Sequence, residues 1–332
     1  MMMANTKASI AELVGKTPLV ELRNFQKKYG LQAKLFAKLE YLNPSGSVKD
    51  RAALNMITEA EKAGKLRKGD TIVDNSSGNT GIALAAIAAA KGYHFECLLE
   101  PGVSPERTQI LKAYGAHLRS FLDFPEIAKM MDKGAFETAE ISRIIQAYAD
   151  SKGYFYTDQV SNQANPEAHY QTTGPEIWED TDGQVDILIM AAGTGGTIAG
   201  LAQYFRQKKP DIEIIAVEPA EASRPSAEQP DVNSIDGIVA FDGFGPENQP
   251  TFFSKNHFYY DSCIDVLAED GYKTGLELAR TDGIFLGESA GAVLHAAKTV
   301  AQKDENKGKN IVLIFADNGM KYLSSPMYQE VN

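Results

Sequence analysis

Thr71-Ile-Val-Asp-Asn-Ser-Ser-Gly-Asn-Thr-Gly81 begins as a β-branched run, breaks into small polar residues and passes into a helical pattern that starts at Asn79. A short apolar strand, a turn and a helix in that order form the repeating unit of a parallel sheet covered by helices. The order recurs downstream. Phe95-Glu-Cys-Leu-Leu-Glu100 precedes a helix opened by Ser104, Asp186-Ile-Leu-Ile-Met190 precedes a helix after Gly196, and Ile212-Glu-Ile-Ile-Ala-Val-Glu218 supplies a further strand. The helix at Ser104 is bounded at both ends: Ser104 as N-cap, Pro105 at its first position, Glu106 in its first turn and Gly115 beyond its last. No internal repeat or low-complexity segment interrupts this pattern. Its least regular part, Ala220 to Pro250, is rich in Pro, Asp, Asn and Gly and reads as a functional loop.

The 332 residues are 43% hydrophobic and 23% charged, ordinary for a globular chain of two domains or one large one. The 33 Lys and Arg against 44 Asp and Glu give a net charge of -11, which makes nucleic acid and anionic membranes poor partners. The longest uncharged apolar stretch, Ile82 to Ala90, is about half of the ~20 residues a membrane helix needs. The N-terminus lacks a signal-peptide apolar core, so a cytoplasmic location is expected. Cys97 and Cys263, far apart and without His or Cys neighbours at metal spacing, suggest neither a disulfide framework nor a metal site.

Three junctions carry small polar residues where the backbone must approach something: Asn75 to Gly81, Gly193-Thr-Gly-Gly-Thr197, and Gly287-Glu-Ser-Ala-Gly291. Each reads as a strand-turn-helix corner, and ligands of open α/β sheets bind at such carboxyl ends of strands. The Gly193 loop opens a helix whose N–H groups and positive end suit a phosphate, or it is simply a tight turn. Ile198 stands where a dinucleotide fingerprint needs Gly, and the lysine of a P-loop is missing. Gly287 to Gly291 fits the nucleophile elbow of serine hydrolases, but the only later histidine, His295, lies on the same predicted helix and cannot readily fold back onto Ser289. Ser289 is read instead as a hydrogen-bonding group at a helix start. Ser47-Val-Lys-Asp50 resembles a capping box and puts Lys49 in the first turn of a helix running to about Gly64. The dipole there disfavours its protonated form, which suits a Schiff-base amine, while a solvated surface lysine is the plainer alternative. A phosphate cradle, a reactive amine and a polar group for a ring nitrogen are what pyridoxal phosphate requires of a protein.

These residues resemble the cysteine synthase (O-acetylserine sulfhydrylase) and cystathionine β-synthase group of fold-type II pyridoxal-phosphate enzymes. The resemblance runs from Ile10-Ala-Glu-Leu-Val-Gly-Lys-Thr-Pro-Leu19 to Tyr322-Leu-Ser324. It includes Lys38-Leu-Glu-Tyr-Leu-Asn-Pro-Ser-Gly-Ser-Val-Lys-Asp-Arg51, Ser77-Gly-Asn-Thr-Gly-Ile82 and Thr172-Thr-Gly-Pro-Glu-Ile-Trp178. It implies an α/β chain of two domains, each a twisted, mostly parallel sheet flanked by helices, as in the tryptophan synthase β-like fold. Residues 1–45 and 155–332 would form the larger, cofactor-binding domain, and residues 46–154 a smaller mobile one. By the same resemblance Lys49 holds the cofactor and moves the Cα proton, Asn79 meets the ring hydroxyl, and Gly193, Thr194, Gly195, Gly196 and Thr197 hold the phosphate. Ser289 would face the pyridine nitrogen, where a neutral hydroxyl favours elimination at Cβ over transamination. Ser76, Ser77, Gly78, Thr80 and Gln159 would grip the substrate carboxylate. A homodimer acting on a small amino acid is the expected assembly.

The chain departs from the pattern at the loop beside the site. Typical cysteine synthases read H-K-I-Q-G-I-G-A-G-F there, whereas this chain reads Asn233-Ser-Ile-Asp-Gly-Ile-Val-Ala-Phe-Asp242. The carboxylate of Asp236 would discourage hydrosulfide and could activate water, pointing to L-cysteine plus water giving L-serine plus hydrogen sulfide. Alternatively Asp236-Gly237 is a turn dipeptide with a solvated side chain. Cysteine synthesis from O-acetylserine and sulfide, thioether synthesis and a non-catalytic regulatory role are the competing functions. Glu288, in place of an apolar residue, and Asp317-Asn-Gly319 are further departures; Glu288 could simply complement its helix dipole.

Overall fold

A computed structural model describes residues 6–132, 137–226, 228–243, 249–254 and 259–329. Ten strands appear in chain order: β1 (Leu19–Glu21), β2 (Lys34–Leu39), β3 (Thr71–Asp74), β4 (His94–Leu99), β5 (His117–Ser120), β6 (Phe155–Tyr156), β7 (Ile187–Ala191), β8 (Glu213–Pro219), β9 (Ser262–Val266) and β10 (Asn310–Phe315). The chain divides into two compact units, one holding the residues up to Val14 together with Lys49–Asn165, the other Gly15–Val48 with Pro166–Asn332. The borders drawn from sequence are different: the residues up to Val14 and 155–165, expected in the larger domain, group with the first unit, and 46–48 group with the second. The segment Ile10–Leu13 groups with the first unit because it packs on the helix Asn79–Lys91.

The first unit is a four-stranded sheet in the order β5-β4-β3-β6, parallel throughout. Its central helix, Asn79–Lys91, is alanine-rich and buried along most of its length, since Ala lets a helix lie close to a sheet without crowding. Ile72, Phe95 and Cys97 from the sheet meet Ile82, Leu84 and Ile87 in the resulting core. The helix opened by Ser104 is present at Pro105–Ala113, with the Ser104 hydroxyl accepting the Arg107 N–H and Gly115 left-handed beyond its end.

The second unit is a six-stranded sheet in the order β1-β2-β10-β7-β8-β9. All neighbours are parallel except β1, which runs antiparallel to β2 at one edge. β10 is sandwiched between β2 and β7, with Ile311 opposite both Leu35 and Ile187, so the near-continuous apolar run Ile311 to Phe315 is buried on both faces. The helix Glu288–Ala301 packs against this sheet and presents Leu294 and Ala297 to the core. One sequence expectation is corrected here. The run Ile284 to Leu286 before Gly287 is no sheet strand: three residues between two helices make a single bridge, Leu286 to Asn318.

Candidate active site

In the first unit, the loop Asn75 to Gly78 leaves the carboxyl end of β3 and enters the helix Asn79–Lys91. Gly78 is the N-cap and no side chain caps the helix, so the first N–H groups and the helix dipole point at whatever the loop holds. Gly81 is required by close approach: a Cβ at that position would lie 1.8 Å from the Ser76 carbonyl oxygen. Gly81→Ala should therefore displace the loop, cost about 1–3 kcal/mol of stability by overpacking, and raise the KM for an amino-acid substrate; unchanged thermal melting and KM would contradict this packing.

Asp74, at the end of β3, is fully buried and holds two segments together. Its Oδ1 accepts the Ser76 N–H at 2.9 Å, and its Oδ2 accepts the Thr157 hydroxyl. The second segment carries Gln159, whose Oε1 accepts the Thr80 hydroxyl at 2.6 Å. Asn165 donates to the Gln159 carbonyl at 2.8 Å, and Asp158 adopts a left-handed φ of 45° beside it. The unit thus brings Ser76, Thr80 and Gln159 together, flanked by Ser77 and Gly78, in a constellation of N–H groups and hydroxyls suited to a carboxylate. Burial pushes the Asp74 carboxyl up to about 6, against the pull of its hydrogen bonds. Sequence reasoning missed this residue, because nothing in Thr71 to Asn75 distinguishes an organising carboxylate from a turn residue.

In the second unit, Gly193 to Gly195 leave β7 and enter the helix Gly196–Lys208. Gly195 has a φ of 83° and caps the helix without a side-chain hydrogen bond, which again leaves the N–H groups pointing outward. The Thr194 hydroxyl accepts the Gly196 N–H at 3.3 Å, and Thr197 lies 3.3 Å from Nε2 of the buried His169. A Cβ at Gly193 would come within 2.5 Å of the Gly237 carbonyl oxygen, so the cradle rests directly on the Asp236-Gly237 turn. The same loop is tied to β7 by the Val239 N–H, which donates to the Ala192 carbonyl at 2.9 Å. Beyond it, buried Glu218 accepts the Phe241 and Asp242 N–H groups at 2.6 and 2.9 Å and is neutralised by Arg224 at 2.9 Å.

Asp236-Gly237 is a turn, with Gly237 left-handed at φ 81°. Asp236 is nevertheless half-buried, not a fully solvated turn residue. Its N–H donates to Oε2 of Glu288 at 2.9 Å. Glu288 is 4% exposed, which corrects the expectation that it only complements a helix dipole from the surface. Burial raises its carboxyl above the usual range, and the Asp236 and Asp317 carboxylates push the same way. Ser289 follows in the first turn, 8% exposed, and among the described residues nothing hydrogen-bonds its hydroxyl. His295 lies 3.1 Å from Thr274 on the helix Ala268–Thr281, so it serves no elbow nucleophile.

Lys49 is the half-buried first residue of the helix Lys49–Lys62. The two residues before it are anchored within the second unit: Ser47 bridges to Asp317, and the Val48 N–H donates to the Ala316 carbonyl at 2.8 Å. Asp317 in turn abuts Gly287, where a Cβ would meet its Oδ1 at 2.0 Å, and accepts the Tyr322 hydroxyl at 2.5 Å. Further back, Asn43 accepts the Gly15 N–H at 2.8 Å and donates to buried Glu40 at 2.9 Å. Ser47 and Val48, the residues just before Lys49, are thus fixed within the second unit on the segment around Asp317.

The second unit holds a glycine-lined loop at an uncapped helix start and the nearly buried Ser289 hydroxyl, and the first holds a lysine at a helix start. The family model for pyridoxal-phosphate dependent enzymes matches residues 10–317, and the chain belongs to that family. A cysteine synthase of Staphylococcus aureus (strain Mu50 / ATCC 700699) is 40% identical over 321 residues, 96% of each chain. The fold is similar to that of an O-ureido-L-serine synthase, with a TM-score of 0.83 and 33% identity over 98% of this chain and 96% of that one. It is also similar to a hydrogen sulfide-producing enzyme (Fn1220) from Fusobacterium nucleatum, at TM-score 0.80 and 32% identity over 97% and 99%. The residues fit the cofactor: the cradle at Gly193 and Gly195 admits no side chain without a shift, its helix end is uncapped, and Ser289 offers a neutral donor and acceptor. Among the described residues, no helix is long and apolar enough to cross a membrane.

Proposed function

We propose that the protein carries out β-replacement on a small L-amino acid, and that its specific reaction converts L-cysteine and water to L-serine and hydrogen sulfide. The observation that carries the specific reading is the half-buried Asp236, fixed at its own amide by Glu288 and followed by Gly237, whose carbonyl abuts Gly193. The Fusobacterium neighbour, described as hydrogen sulfide-producing, supports the same direction of chemistry.

Gly193, Thr194, Gly195, Gly196 and Thr197 would hold the cofactor's phosphate, Asn79 would meet its ring hydroxyl, and Ser289 would offer its hydroxyl to the ring nitrogen. Bound pyridoxal phosphate supplies the electron sink that makes the substrate Cα–H acidic and lets the Cβ substituent depart. Ser76, Ser77, Gly78, Thr80 and Gln159 orient the substrate carboxylate. The Lys49 amine takes the proton from Cα and returns it there after the addition, and Asp236 takes a proton from the incoming water and passes it to the departing sulfur. The carbon–sulfur bond breaks, a carbon–oxygen bond forms at the same carbon, and sulfur leaves as hydrogen sulfide, so no oxidant or reductant is needed.

The test is product analysis of the cofactor-loaded enzyme given L-cysteine alone and, separately, O-acetylserine plus sulfide. Equal amounts of serine and sulfide from cysteine, faster than any synthesis, are expected. Asp236→Asn should lower serine formation by at least about tenfold, at the modest end of general-base effects. Fast cysteine formation with little breakdown would overturn the reading in favour of cysteine synthesis, the activity named for the 40% identical relative. A thioether product from cysteine and a second thiol would overturn it in favour of thioether synthesis.

A further inference from the structure

The two positions at which the sequence departs most clearly from the resembled pattern, 236 and 288, touch. Glu288 opens the helix that carries Ser289, yet its carboxylate is turned inward, 4% exposed, with Oε2 2.9 Å from the Asp236 amide nitrogen. On either side of that contact the loop is held by other means: Ile235 is sunk in the core, Tyr272 donates to the Ser234 carbonyl, and the Val239 N–H donates to Ala192. None of these fixes the peptide at Asp236 itself. That peptide governs both where the aspartate side chain projects and where the Gly237 carbonyl meets Gly193. An apolar side chain at 288 would fill the same space and leave a partly buried N–H without its acceptor.

We propose that Glu288 is a positioning residue: its buried carboxylate clamps the Asp236 amide and so fixes the Asp236-Gly237 turn against the phosphate-cradle glycine Gly193. The proposal rests on the reading of Asp236 as the group that activates water. Glu288 touches neither cofactor nor substrate in this scheme. It acts through the backbone of its neighbour, and a carboxylate suits the task because a charged acceptor holds an amide more firmly than a neutral one.

The experiment uses the cofactor-loaded full chain, its Glu288→Ile and Glu288→Gln variants, and Asp236→Asn. Hydrogen–deuterium exchange is read at the 233–242 segment alongside the ratio of serine formed to Cα-proton exchange of the substrate. In Glu288→Ile the Asp236 amide is expected to exchange at least about tenfold faster, because the bond that closes it is gone. The serine ratio should fall while Cα-proton exchange, the work of Lys49, continues. Glu288→Gln keeps an acceptor oxygen and should recover most of both. Unchanged amide exchange in Glu288→Ile overturns the clamp. Faster exchange with an unchanged serine ratio overturns the positioning role. If Asp236→Asn leaves serine formation intact, the water-activation reading falls, and the exchange measurement still decides separately whether Glu288 holds the turn.

Discussion

Lys49→Ala is expected to lower turnover of L-cysteine by roughly three orders of magnitude, the usual scale for losing a positioned acid–base group. The residue is the half-buried first residue of the helix Lys49–Lys62, and an amine so placed is a candidate Schiff-base and acid–base group. Its placement does not depend on its own side chain. Ser47 and Val48 are bonded to Asp317 and Ala316, and Gly15, Glu40 and Asn43 brace the segment before them. The variant should therefore fold with a melting temperature close to the parent's. Pyridoxal phosphate should still bind through the Gly193 cradle, but dialysis should remove it far more readily once no covalent link to the protein can form. A small exogenous amine such as methylamine should restore part of the Cα-proton exchange, since it replaces the lost group in kind. Parent-like turnover, or cofactor retention that survives dialysis unchanged, would remove Lys49 from this role.

How far the sequence reaches can be judged residue by residue. β3, β4, β7 and β8 are legible because parallel strands buried on both faces read as short, largely apolar runs, rich in Ile and Val in β3, β7 and β8. Ser104 to Gly115 is legible because both helix ends carry their own capping chemistry. β1 and β2 are not, since Lys34-Leu-Phe-Ala-Lys-Leu39 shows neither a clean alternation nor a β-branched run, and its main pairing is with β10, far along the chain. Site glycines show the same division. That Gly193 and Gly195 form a tight loop before a helix is local information, whereas the contact of Gly193 with the Gly237 carbonyl is a tertiary fact with no sequence period. Glu288 is the sharpest case: a carboxylate at a helix start has an adequate local explanation in the dipole, and only its burial on the Asp236 amide reveals another.

Asp74→Asn should make the protein more stable at pH 7.5 and worse at binding its substrate. The parent carboxyl is fully buried, and burial raises it from an ordinary 3.8 to about 6. A carboxyl whose folded pKa lies above its unfolded one contributes stability that is fully present below about pH 4 and is lost as pH rises through about 6. Ionised Asp74 is therefore a cost the fold bears at neutral pH, on the order of 3 kcal/mol for a rise of that size. An asparagine never ionises, though it forfeits about 1 kcal/mol where an amide nitrogen replaces an acceptor oxygen. The variant should then melt higher than the parent at pH 7.5, with the gap closing or reversing near pH 4. The loss falls on function, because Asp74 binds the Ser76 N–H and the Thr157 hydroxyl and so aligns the two segments that carry Thr80 and Gln159. With one oxygen replaced, the Thr157 side loosens, and KM for the amino acid should rise about tenfold, an effect of roughly 1.4 kcal/mol, while kcat should change less. A parent-like or lower melting temperature at pH 7.5 would show that the buried charge is compensated, and an unchanged KM would show that the two segments hold their alignment without it.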